Sequence, residues 1–221
     1  MTSMGKNKII LFANLKGGVG KSTLCSMFAT YLAQHKREVG LIDADVQQTI
    51  IKMRERDKLQ FPDLQLPWNC SSLIDQDVTK IKEKMGKLKS LPFWVVTDMP
   101  GNLTDSNLLP IIKGADVIIV PMSYEERVLD GTVLFVKIVR KLTKAPLIFV
   151  PNMISDQEGI KSERELRDEA ISILGKLGYI TPRIKRSVVI KRTNTIKRLD
   201  QYQTKAVEFA FESIIKYIEN Y

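Results

Sequence analysis

Eight consecutive residues carry the most specific chemistry in this chain: Lys16-Gly17-Gly18-Val19-Gly20-Lys21-Ser22-Thr23. Glycines at 17, 18 and 20 let the backbone turn its N–H groups inward with no Cβ in the way, which is how a nest for a phosphate is built. An apolar run at 9–13 precedes the stretch and a helical pattern at 21–34 follows it. The start of that helix would add its partial positive charge to the nest. In this frame Lys21 reaches the β- and γ-phosphates of a nucleotide, and the Ser22 hydroxyl is a ligand for Mg2+. A glycine-rich turn that binds nothing is the competing reading, and the strand–loop–helix context weighs against it.

Acidic residues fall at the ends of two other apolar runs, where ligands bind in open α/β sheets. In Leu41-Ile42-Asp43-Ala44-Asp45-Val46-Gln47 the two aspartates stand one residue apart. They share a face if the strand continues through Asp45, or they cap a following helix if it does not. In Phe93-Trp94-Val95-Val96-Thr97-Asp98-Met99-Pro100-Gly101 the run ends on Asp98. A carboxylate emerging there can hold the water shell of Mg2+, an ion that rarely sheds all its waters. Asn152 follows a fifth apolar run in Phe149-Val150-Pro151-Asn152, as a turn asparagine or as a base-recognising one.

One departure narrows the class. The usual phosphate loop begins with Gly six positions before its lysine; here that place is Leu15, and Lys16 opens the loop instead. This resembles the deviant Walker A loop of the ParA/MinD family of ATPases, and the resemblance extends with weaker motifs over essentially the whole chain. It implies ATP and Mg2+ as cofactors and a dimer that sandwiches two nucleotides, with Lys16 acting on the nucleotide of the partner subunit. It also implies that Asp45 positions the attacking water, that Asp43 supports the Mg2+ shell together with Asp98, and that Asn152 lies against adenine. Val46 stands where the family has proline, and Asp98-Met99-Pro100-Gly101 where it has Asp-Thr-Pro-Pro. Gly17, Gly18, Val19, Gly20, Lys21, Ser22 and Thr23 are the nucleotide-binding set of the loop, and Lys16, Lys21, Ser22, Asp45 and Asp98 supply the positioning and charge neutralisation that phosphoryl transfer mostly asks of a protein.

Charge bears on the partner. Lysines and arginines number 34 against 25 acids, a formal charge of +9, and the pI is near 9.5, so a polyanion is a fair partner class. Residues 183–198 hold seven basic side chains and no acid: Arg183, Lys185, Arg186, Lys191, Arg192, Lys197 and Arg198. Without interleaved aromatics the pattern suits a phosphate backbone rather than stacked bases. ParA-type partition ATPases bind non-specific DNA as ATP dimers and release it when a centromere-binding, ParB-like protein stimulates hydrolysis that is otherwise slow. The resemblance therefore implies an ATPase of plasmid or chromosome partition, cytoplasmic and nucleoid-associated. With no helix-turn-helix ahead of Lys16, it is similar to the small subclass. Two further basic groups, Lys80, Lys82, Lys84, Lys87 and Lys89, and Lys137, Arg140, Lys141 and Lys144 at i, i+3, i+4 and i+7, read as solvated helix faces.

Other branches fit less well. Iron–sulfur carriers need paired cysteines, and the chain has only Cys25 and Cys70. His35 reads as a contact at a helix end, and two late tyrosines are too few for a tyrosine cluster. A MinD-like ATPase that positions a membrane or protein cargo is the alternative. Residues 205–221 are amphipathic through Val207, Phe211, Ile214 and Ile218, but carry three glutamates against two lysines. That balance disfavours an anionic bilayer and favours a helix docked on the sheet. A nucleotide-dependent scaffold that does not hydrolyse is a third reading, should Val46 weaken the turn.

The elements that must hold these residues follow from the apolar runs. Strands are expected at 9–13, 39–43, 93–98, 117–121 and 147–150, with a sixth at 179–184; helices at 21–34, 124–142 and 158–174. Continuous apolar strands alternating with helices predict a doubly wound, mostly parallel α/β sheet flanked by helices, a P-loop NTPase of one domain over 1–221. Residues 47–89, punctuated by Pro62, Pro67 and Gly86, read as an irregular insertion with Trp68 and Cys70 in a loop. At 44% hydrophobic and 27% charged the chain can bury a core. No run approaches the roughly 18 apolar residues of a membrane span, and the polar first eight residues do not read as a signal peptide.

Overall fold

Burial on both faces explains why the central strands are apolar almost without a break. The computed structural model describes residues 7–74, 76–155 and 161–221. Among them seven strands form one sheet: β1 (Ile9–Phe12), β2 (Val39–Asp43), β3 (Asn69–Ser72), β4 (Trp94–Asp98), β5 (Val117–Met122), β6 (Leu147–Pro151) and β7 (Tyr179–Ile180). The order is β3-β2-β4-β1-β5-β6-β7 and every pairing is parallel. Successive strand residues join opposite cores: Ile10, Phe12, Leu41 and Val96 one, Ile9, Leu11, Ile42 and Val95 the other. The two-residue period of a strand thus feeds two apolar layers at once.

Seven helices cover the faces: α1 (Lys21–Gln34), α2 (Thr49–Gln60), α3 (Val78–Lys89), α4 (Leu109–Gly114), α5 (Glu126–Val139), α6 (Lys161–Gly175) and α7 (Gln201–Asn220), again among the described residues. The first core takes Phe28 of α1, Ile50 of α2 and Phe211 of α7. The second takes Ile81 of α3, Ile112 of α4, Phe135 of α5 and Leu174 of α6. This is the doubly wound α/β sheet that the sequence predicts. No helix among the described residues is long and apolar enough to cross a membrane.

Several expectations are corrected. The segment 47–89 is not an irregular insertion: it holds α2, edge strand β3 and α3, with Gly86 inside α3 rather than breaking the chain. Trp68 is buried, its Nε1–H donating to Thr30 Oγ1 at 3.1 Å, and Cys70 pairs in register with Leu41. The 179–184 strand stops at Ile180, before Pro182. The basic face at 137–144 does not form, because α5 ends at Val139. Arg140 instead donates to the carbonyls of Ala145 and Leu177. The expected helix at 158–174 is α6 from Lys161; residues 158–160 lie outside the described residues. The amphipathic stretch from Lys205 lies in α7, whose Val207, Phe211, Ile214 and Ile218 are buried in the core shared with α1 and the sheet.

Candidate functional site

The carboxyl ends of the central strands converge on the loop between β1 and α1. Gly18 and Gly20 adopt φ of 75° and 90° there, a left-handed backbone that a side chain resists. Gly20 also caps α1, without a side-chain hydrogen bond and with no acid in the first turn. Elsewhere Asp77 caps α3, and Asp200 caps α7 in a capping box with Gln203. The first turn of α1 is therefore left with open N–H donors and an uncompensated positive end, the arrangement that receives phosphate. A Cβ on Gly20 would collide with the Asn152 amide.

Asn152 comes to the loop in a role that its turn position does not announce. It is buried at the end of β6, and its Nδ2 donates to the Val19 carbonyl at 2.9 Å. The side chain thus braces the phosphate loop itself. Lys21 is 8% exposed and its Nζ donates to the Lys16 carbonyl at 3.1 Å. Burial lowers its pKa, against the opposing pull of Asp98 and then Asp45. Gly101, in the segment after β4, lies against the same lysine: a Cβ there would stand 3.5 Å from Lys21 Nζ, in ordinary contact.

Asp98, at the end of β4, is wholly buried, and among the described residues neither carboxylate oxygen has a hydrogen bond of ordinary geometry. Burial pushes its pKa up to about 7; the nearby Ser22 hydroxyl and Lys21 pull it down, while Asp43 and Asp45 push it further up. A buried carboxylate without partners, beside a hydroxyl at the mouth of a phosphate nest, fits the water shell of Mg2+. Among the described residues no group of three or more His, Cys, Asp or Glu could hold a metal by itself. A magnesium ion here would therefore depend on nucleotide phosphates as well as on Ser22 and Asp98.

The two earlier aspartates separate. Asp43 ends β2 and is buried, with Oδ2 accepting from the N–H groups of Ile50 and Ile51 at 2.9 and 3.2 Å and Oδ1 from that of Asp45 at 3.2 Å. It holds the first turn of α2. Burial raises its pKa and these N–H donors oppose the rise. Asp45 lies beyond the strand, partly exposed, with Oδ1 accepting from the Gln47 N–H at 2.9 Å. The shared strand face does not form, because β2 stops at Asp43. Val46 is 69% exposed on the same turn.

Lys16 is half-buried, and its N–H donates to Asn14 Oδ1 at 3.3 Å. Asn14 is buried, and its Nδ2 donates to the Pro121 carbonyl and to Thr132 Oγ1, each at 2.9 Å. Sequence reasoning misses Asn14; a polar residue directly after an apolar strand is the available signal. Cys25 is buried in α1 and Cys70 partly buried in β3. Burial raises both thiols, Cys70 to about 12. His35 caps α1, its Nδ1 2.8 Å from the Tyr31 carbonyl.

Arg183, Lys185, Arg186, Lys191, Arg192, Lys197 and Arg198 are all exposed on the segment between β7 and α7. A buried polar joint anchors that segment. The Arg54 guanidinium donates to Thr195 Oγ1 at 2.9 Å, to the Thr195 carbonyl at 3.0 Å and to the Trp68 carbonyl at 2.9 Å. Asp57 accepts from the Thr195 N–H at 2.6 Å and hydroxyl at 2.7 Å. Helix α2 therefore touches the site at its first turn, through Asp43, and the basic segment further along.

A family model for the CobQ/CobB/MinD/ParA nucleotide binding domain matches residues 10–196. In sequence, an iron–sulfur cluster carrier protein of Rickettsia bellii is 51% identical over 39 residues, which is 18% of this chain and 12% of that protein. In structure, a plasmid partition protein of Borrelia burgdorferi bound to AMPPNP superposes with a TM-score of 0.74 at 23% identity, covering 96% of this chain and 99% of that one. The MinC:MinD cell division protein complex of Aquifex aeolicus contributes a chain that gives 0.75 at 18% identity, covering 95% and 96%.

Proposed function

Because this chain belongs to the CobQ/CobB/MinD/ParA family of nucleotide-binding domains, we propose that it is a ParA-type ATPase of DNA partition. In this reading it binds ATP with Mg2+, pairs with a second copy across two nucleotides, and hydrolyses ATP slowly until a ParB-like adaptor accelerates it. The observation that carries the reading is the open first turn of α1, entered by Lys16 and faced by the unpartnered Asp98. The nest and Lys21 neutralise the phosphates, Asp45 orients the attacking water, and Lys16 reaches the nucleotide of the other copy. Bound Mg2+ would draw charge from the phosphate oxygens at Ser22 and Asp98.

DNA is the polyanion this reading assigns to the seven exposed cations of 183–198. Contacts of this kind engage phosphates without reading sequence, and they weaken steeply with salt. Binding to random-sequence duplex DNA, with ADP, ATP and a slowly hydrolysed ATP analogue at two salt concentrations, tests it. ATP-dependent, salt-sensitive binding is expected. The triple variant Arg186→Ala, Lys191→Ala, Arg192→Ala should lower DNA affinity and flatten the salt slope while ATP affinity stays unchanged. Equal DNA affinity in that variant would remove the basic segment from the reading.

A second reading draws on Tyr202 and Phe209, 65% and 71% exposed on α7. It makes the chain a MinD-like ATPase that positions a membrane or protein cargo, and co-sedimentation with anionic liposomes in ATP tests the lipid version.

A further inference from the structure

Glycine is the poorest helix former after proline, yet Gly131 sits buried in the interior of α5. The reason is beside it. A Cβ at Gly131 would fall 2.5 Å from Lys16 Cγ and 2.8 Å from Cδ, and closer still to Cε. The stem of Lys16 therefore lies flat against the helix backbone, in a slot that exists only because residue 131 has no side chain. The next residue holds the same lysine from its backbone side: Thr132 Oγ1 accepts from Asn14 Nδ2, and Asn14 Oδ1 accepts from the Lys16 N–H. Thr132 is fixed in turn by donating to the Val128 carbonyl at 2.8 Å.

We propose that Gly131 is a positioning residue for Lys16: the slot sets the direction in which the lysine leaves the phosphate loop and so its reach toward the nucleotide of a second copy. This rests on the role proposed above for Lys16. Four proteins test it: wild type, Gly131→Ala, Lys16→Ala and the double variant. Urea unfolding reads the slot itself. On the Lys16→Ala background Gly131→Ala should stabilise fully, through helix propensity; on wild type the displaced lysine should cancel part of that gain. Turnover reads the positioning: Gly131→Ala should lower kcat about 10-fold with KM for ATP within about twofold, and have no further effect once Lys16 is absent.

Additive stabilities would overturn the slot. Coupled stabilities with full turnover in Gly131→Ala would overturn the positioning role, leaving the slot a resting place. Coupled stabilities with full turnover in Lys16→Ala would overturn the role of Lys16, and the positioning role with it.

Discussion

At the scale of single residues, Asp98 is where position and chemistry part company. Its place at the end of an apolar run is legible from the sequence; its protonation is not, because burial is set by neighbours that arrive from β1, β2 and α1. Burial pushes its carboxyl up to about 7, against 3.8 for a solvated aspartate. Between those values the folded chain keeps a proton that the unfolded chain has released, so stability falls as pH rises from about 4 to about 7 and levels off above. Asp98→Asn should remove that share of the slope, leaving what Asp43, also raised by burial, contributes, and raise stability at pH 8 by up to about 4 kcal/mol. Thermal unfolding across pH, without Mg2+ or nucleotide, checks it. The same variant should lose turnover, so stability and activity move in opposite directions. Asn152 makes a similar point: its place after a strand can be read from the chain, but its bond to the Val19 carbonyl depends on how two distant loops meet.

At the scale of elements, legibility follows the apolar pattern. The central strands and α1 are evident because each buries an unbroken or periodic apolar set. Helix α2 is hidden because its buried residues are Ile50, Arg54 and Asp57, two of them charged. In α3 only Ile81 and Met85 are buried, among lysines, and β3 is a short polar edge strand, Asn69–Ser72. Helix α7 shows the converse case, an amphipathic pattern whose apolar side is taken up by the core. Phe211 is wholly buried, edge-on to Phe28 at 5.1 Å and to Tyr31 at 5.4 Å between ring centroids. Phe211→Ala should cost about 3–5 kcal/mol, measured by urea unfolding. A loss under about 1 kcal/mol would mean that α7 is not part of the core.

At the scale of the whole molecule, the Arg54–Thr195–Asp57 joint ties the basic segment to the helix that Asp43 holds beside the site. No sequence pattern announces it, because Thr195 stands 138 residues from Asp57 in the chain. Thr195→Val keeps the shape but removes a hydroxyl that accepts from Arg54 and donates to Asp57. The expected cost is about 1–3 kcal/mol in urea unfolding, with the denaturant slope unchanged. The strand order has a different consequence, one of timing. β1 lies in the middle of the sheet, yet Ile9 pairs with Val95 and Ile10 with Val117. During synthesis its apolar residues emerge before either partner and wait, unpaired, until both neighbours have been made. Parallel pairing across such separations is slow to form, so the strand beside the phosphate loop is also the one most exposed to wrong partners before the fold closes.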